Sequence, residues 1–180
     1  TAGALILRNT QDEPIAFYGY TAYTKDEESE LDKRPITFAY NGGPGSSSMW
    51  LHMGALGPKR VVVNDPYNNK TAPYKVEDNQ FSILEKSDVV FIDPIGTGIS
   101  KAVGKANNKD FWGVDEDIKS VSGFIKQYIN ENNRWSSPKF ILGESYGTMR
   151  SAGVAKYLQE ELVIDLNGII LVSTDLDIRT

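Results

Sequence analysis

Apolar positions come in short runs separated by polar or glycine-rich breaks, and one longer segment repeats them at helical spacing. Residues 4–8 and 15–24 have the apolar and aromatic enrichment of strands, and Gln11-Asp12-Glu13-Pro14 reads as the turn between them, which predicts an antiparallel hairpin. Residues 35–40, 87–92, 138–142 and 166–173 are further apolar runs of buried-strand length. Phe111, Val114, Ile118, Val121, Ile125 and Tyr128 recur at intervals of three and four, which predicts an amphipathic helix. Asp115 and Asp117 stand near its start, where the helix dipole favours carboxylates. A second helix is predicted from Tyr146 to about Leu162, and a short one through Met49, Trp50, Met53 and Leu56, ended by Gly57-Pro58. Residues 59–85 show no sustained periodicity and read as a surface excursion with at most short strands. Short apolar strands alternating with helices argue for a parallel sheet covered on both faces, with functional loops at the C-terminal ends of its strands.

Composition narrows the choice of partners. The length of 180 residues suits one domain, and a net charge of −5 without any Lys/Arg cluster argues against nucleic acid and anionic membranes as partners. The acidic run Asp26, Glu27, Glu28, Glu30 reads as a solvated loop. There is no cysteine, which excludes disulfides, thiolate metal sites and a cysteine nucleophile but leaves both cytoplasmic and bacterial exported locations open. Neither a cofactor nor a metal is expected. No run approaches transmembrane length, and residues 1–7 lack the basic start and long apolar core of a signal peptide. The chain begins without Met and enters a strand pattern almost at once, so it is expected to be a piece of something longer.

Three glycine-rich loops leave the same predicted sheet edge. In Gly143-Glu144-Ser145-Tyr146-Gly147 an apolar run enters Gly-X-Ser-X-Gly and a helical pattern leaves it, which is the form of a nucleophile elbow. The tight turn explains Gly143 and Gly147, and the helix after it aims free N–H groups at any oxyanion formed beside Ser145. Asn41-Gly42-Gly43-Pro44-Gly45-Ser46-Ser47-Ser48 implies a close backbone approach; it lacks the P-loop lysine, so a cradle for an oxyanion or carboxylate fits better than one for phosphate. In Asp93-Pro94-Ile95-Gly96-Thr97-Gly98-Ile99-Ser100, Lys101 stands where a dinucleotide turn needs its third glycine, and no strong helix follows at once.

Together, in this order and at these separations, the three motifs resemble the serine carboxypeptidase family of α/β-hydrolases. The likeness runs from about residue 35 to the end. It implies a partial α/β-hydrolase fold: a mostly parallel central sheet with an N-terminal antiparallel hairpin, flanking helices and strand order 1-2-4-3-5-6. Because family members are much longer, residues 1–180 are expected to be the N-terminal portion of a single domain. The resemblance makes Ser145 the nucleophile and the backbone N–H groups of Gly43 and Tyr146 the oxyanion hole. It also implies that Asn41, the Gly42 N–H and a protonated Glu144 grip the C-terminal carboxylate of a peptide substrate, with hydrolysis favoured at acid pH. Three positions depart from the family pattern: Ala39 replaces a common Trp, Ser46 a Cys, and Ala55 a second Glu. Without that second carboxyl, an esterase or acyltransferase on the same framework remains an alternative.

A serine nucleophile needs a base and an acid to orient it, in the chain order Ser, Asp, His. No histidine follows Ser145, and the only one, His52, reads as a helix-surface or packing residue. Asp165, Asp175 and Asp177 read as structural or loop carboxylates, so the triad acid and base are expected beyond residue 180. Two functions then compete: a hydrolase working through an acyl-enzyme, or a catalytically silent domain that binds a peptide terminus. A downstream Asp and His at the family's spacing would favour the first.

Overall fold

Strand β1 (Ala2–Arg8) and strand β2 (Pro14–Tyr23) pair antiparallel as the expected hairpin, in a computed structural model that describes residues 1–26, 30–63 and 74–175. Strand β3 (Ile36–Tyr40) runs through the glycine-rich loop into α1 (Met49–Leu51), which continues as a π-helical turn over His52–Leu56 and stops at an extended Gly57. The excursion that follows holds only two short antiparallel strands, β4 (Lys59–Val61) and β5 (Val76–Asp78). Strand β6 (Asp88–Ile92) leads to a loop that ends in β7 (Lys101–Ala102), a two-residue strand paired with β2. Helix α2 (Val114–Glu131), strand β8 (Lys139–Glu144), helix α3 (Tyr146–Glu160) and strand β9 (Gly168–Val172) complete the chain. Glu27, Glu28 and Asp177 lie outside the described residues.

The main sheet has the order β1-β2-β6-β3-β8-β9, with β6, β3, β8 and β9 mutually parallel and β2 antiparallel to β6. With the six predicted strands numbered in turn, this is the expected 1-2-4-3-5-6. The β8 strand lies inside the sheet, flanked by β3 and β9. Each central strand sends alternate residues to opposite faces, as the two-residue period of a strand requires. Ile36, Phe38, Tyr40, Val90, Ile92 and Ile141 face α2 and α3, where they pack with Phe124, Tyr128, Val154 and Leu158. Ala39, Val89, Phe91 and Leu142 face the other way, toward Leu51 and Leu56.

Helix α2 begins later than its apolar spacing suggests. Phe111 closes a separate 3-10 turn (Asn108–Phe111), and Gly113 is extended (φ −66°, ψ 151°), so the helical repeat restarts at Val114. Likewise, the loop after β6 passes into a strand rather than a helix, which agrees with rejecting a dinucleotide turn there. No helix among the described residues is long and apolar enough to cross a membrane.

Candidate active site

Ser145 occupies the single residue between β8 and α3, with φ 55° and ψ −126°. That left-handed conformation is costly for a residue with a Cβ, on the order of 1–3 kcal/mol, and it persists only where the surroundings over-determine it. Here they do. The Ser145 N–H donates to the Val172 carbonyl at 3.0 Å, and the Ser145 carbonyl accepts from the Thr148 N–H and hydroxyl at 2.8 and 2.7 Å. The turn is tight enough that a Cβ on Gly143 would lie 2.0 Å from the Gly147 carbonyl oxygen, so a side chain cannot enter there. A Cβ on Gly147 would come within 3.1 Å of the Tyr40 carbonyl oxygen.

The glycine-rich loop docks directly on this elbow. A Cβ on Gly42 would sit 2.5 Å from the Tyr146 nitrogen and 2.5 Å from the Glu144 carbonyl oxygen, so only glycine permits the approach. The Leu51 N–H donates to Asn41 Oδ1 at 2.9 Å, which turns the amide so that Asn41 Nδ2 donates to Glu144 Oε2 at 3.0 Å. Asn41, Gly43, Ser46, Ala55, Glu144 and Ser145 line one cleft of about 460 Å³. The loop after β6 is tied in as well, because the Ser48 N–H donates to Asp93 Oδ1 at 2.8 Å. Burial pushes the Asp93 carboxyl up, and this N–H and His52 oppose that shift.

Beneath the elbow lies a charge pair that the sequence reading did not assign. Arg150, only 3% exposed, donates from Nε to Asp117 Oδ2 at 2.7 Å and from Nη1 to the Asn41 carbonyl at 2.8 Å. Its guanidinium lies over the rings of Tyr40 and Tyr146, 5.3 and 5.1 Å from their centroids. Burial raises the Asp117 carboxyl, while Arg150 and the Tyr146 hydroxyl pull it back. The Tyr146 side chain therefore lines an adjoining cavity, whereas its backbone N–H opens α3, among the first-turn donors without an intrahelical acceptor. A sequence signal exists for the buried cation, though not for its partner: Gly147, Arg150, Ser151, Val154 and Leu158 share the buried face of α3, so a lone cation falls on an otherwise small and apolar stripe.

His52 is committed elsewhere. Its Nε2 is 2.8 Å from the Tyr23 hydroxyl, and its ring stacks on Phe91 with centroids 4.6 Å apart. This is the packing role read from the sequence. Burial lowers its pKa below 6.5, against a smaller opposing pull from Asp93. The unfolded imidazole thus binds a proton first as pH falls. His52 contributes stability above its unfolded value near 6.5, and that contribution is lost as pH drops through the folded one. An NMR titration of the His52 imidazole, identified by the resonances that a His52→Gln variant loses, is expected to give a midpoint below 6.5. A midpoint above that value would remove this account. Burial lowers the pKa of the Lys139 ammonium, with Arg134 adding to the shift and Asp165 opposing it, and the Asp175 backbone N–H donates to Thr148 Oγ1 at 3.1 Å.

A mixed, mostly parallel sheet with a serine held in left-handed backbone between an interior strand and the next helix defines an α/β-hydrolase. Solved structures agree on the fold. A prohormone-processing carboxypeptidase from Saccharomyces cerevisiae superposes with a TM-score of 0.70 at 24% identity, over 94% of this chain and 37% of that one. A peroxisomal α/β-hydrolase of the same yeast gives 0.57 at 14% identity, over 100% and 44%. The family model for serine carboxypeptidases matches residues 6–173, and the chain belongs to that family. Among curated relatives, the pheromone-processing carboxypeptidase KEX1 of Saccharomyces cerevisiae is 33% identical over 159 residues, covering 81% of this chain and 20% of the relative. The same-named protein of Yarrowia lipolytica is 28% identical over 149 residues, covering 81% and 22%. The chain spans about a fifth of the length of these relatives.

Proposed function

We propose that the whole protein is a serine carboxypeptidase that releases C-terminal residues from peptides through an acyl-enzyme on Ser145. The observation that carries this reading is the shared cleft, in which Ser145 stands beside Gly43 and the hydrogen-bonded Asn41–Glu144 pair. Ser145 Oγ attacks the last peptide carbonyl, and the N–H groups of Gly43 and Tyr146 receive the developing oxyanion. The C–N bond then breaks, the departing amine takes a proton, and water hydrolyses the ester left on Ser145. Asn41, the Gly42 N–H and Glu144 receive the terminal carboxylate, a role for which Glu144 must carry a proton and donate it as a hydrogen bond. The base cannot be His52, which is held by Tyr23 and Phe91, so the mechanism requires an imidazole and an orienting acid from outside the described residues.

The test is to incubate the whole protein with an N-acylated peptide and the same peptide amidated at its C-terminus. Single-residue release from the free acid is expected, and the amide should react far more slowly. Equal rates on both would remove the carboxylate grip. One observation favours a second reading: Ala55 lines the cleft where the family commonly has another Glu, leaving Glu144 without that partner. An esterase or acyltransferase would then process activated esters while leaving peptides intact. A protein that binds peptide termini without turnover would instead be a silent peptide-binding domain.

A further inference from the structure

We propose that Arg150 is a positioning residue for the carboxylate grip, holding the Asn41–Gly42 peptide unit so that the Gly42 N–H is aimed and strengthened as an anion donor. The inference rests on the serine carboxypeptidase reading of the cleft and adds a residue to it. The carbonyl that Arg150 binds at 2.8 Å belongs to Asn41, and the N–H of that same planar peptide unit belongs to Gly42. Fixing one end of the unit fixes the direction of the other. A charged donor on the carbonyl also draws electron density from the amide, which makes its N–H a stronger donor in a site of low dielectric.

The guanidinium is itself held on every side. Asp117 accepts from Nε at 2.7 Å, and the Tyr40 and Tyr146 rings flank it at 5.3 and 5.1 Å. One side chain thereby registers the end of β3, the first turn of α2 and the start of α3 against each other. An ion pair serving stability alone would need only Asp117. The bond to the Asn41 carbonyl is the contact that reaches the cleft, and a planar fork supplies both bonds where a lysine's single ammonium would not.

The experiment uses the whole protein, with active sites counted by fluorophosphonate titration and two substrates sharing one acyl group: a peptide with a free terminal carboxylate and an ethyl ester without one. Arg150→Lys keeps a cation opposite Asp117. Its KM for the peptide is expected to rise about 10-fold, the effect of losing one charge-assisted hydrogen bond, while kcat per titrated site and the ester kinetics stay within about threefold. Should the lysine variant fold poorly, the pair Arg150→Gln with Asp117→Asn leaves no buried charge unpartnered and is expected to show the same split. A purely structural role would lower the titratable fraction and leave both substrates' constants per site alike, and that result would overturn the proposal. Absence of fluorophosphonate labelling in the unmodified protein would overturn the serine reading itself, whereas normal labelling without a KM split overturns only the role of Arg150.

Discussion

Ser145→Ala in the whole protein is expected to lower kcat for peptide hydrolysis by about 10,000- to 1,000,000-fold, because the proposed acyl-enzyme would have no other oxygen on which to form. Residual turnover well above the uncatalysed rate is compatible with this, since oxyanion donors and substrate binding survive the substitution. The backbone at 145 is fixed by the Val172 and Thr148 hydrogen bonds, not by the hydroxyl, so the variant should fold and melt like its parent. Kinetics and stoichiometric fluorophosphonate labelling, run beside thermal denaturation, check both halves of the statement. A variant that keeps more than about a tenth of parental turnover would show that Ser145 is not the nucleophile.

The largest expected stability effect lies at the opposite edge of the sheet. Asp88 opens β6 fully buried and takes Arg34 Nε on Oδ1 at 2.7 Å and Arg134 Nη1 on Oδ2 at 2.6 Å, with the Lys25 N–H also on Oδ1 at 3.1 Å. Arg134 also donates to the Arg34 carbonyl at 2.8 Å, so the cluster locks the strand starts together. Asp88→Ala would leave two guanidiniums facing each other without a counter-charge. Breaking a buried pair in this way costs about 3–5 kcal/mol, which lowers Tm by roughly 6–20 °C for a domain of about 150–250 residues and by less for a larger one. Replacing all three with apolar residues of similar volume removes the unpaired charge and is expected to cost far less. Calorimetry of the single and triple variants distinguishes the two, and a single variant that melts within about 2 °C of its parent would refute the assignment.

The parts of this molecule that could be read from its sequence are those governed by local chemistry. Apolar runs and glycine punctuation located β3, β6, β8 and β9, and Gly143 and Gly147 announced a turn whose geometry admits no side chain at Gly143. The spacing from Phe111 to Tyr128 located α2, although an extended Gly113 delays its start. The Arg150 clamp was less accessible. Asp117 read as a carboxylate favoured by the helix dipole, and nothing local indicates that it meets an arginine 33 positions later. The same limit applies to β7, whose two residues acquire strand geometry only by pairing with β2. Contacts between segments distant in sequence are set by the assembled sheet, and the roles that depend on them become visible only there.

The conformation at Ser145 also bears on how such a chain changes under selection. Position 145 is one that folding alone would assign to glycine, since its φ of 55° and ψ of −126° favour a residue without a Cβ. Ser145→Gly is therefore expected to raise stability by about 1 kcal/mol even as it removes the proposed nucleophile. A lineage released from the demand for chemistry but still required to fold would drift toward glycine at the elbow, so under the proposed mechanism a retained serine there would record a continuing demand for turnover.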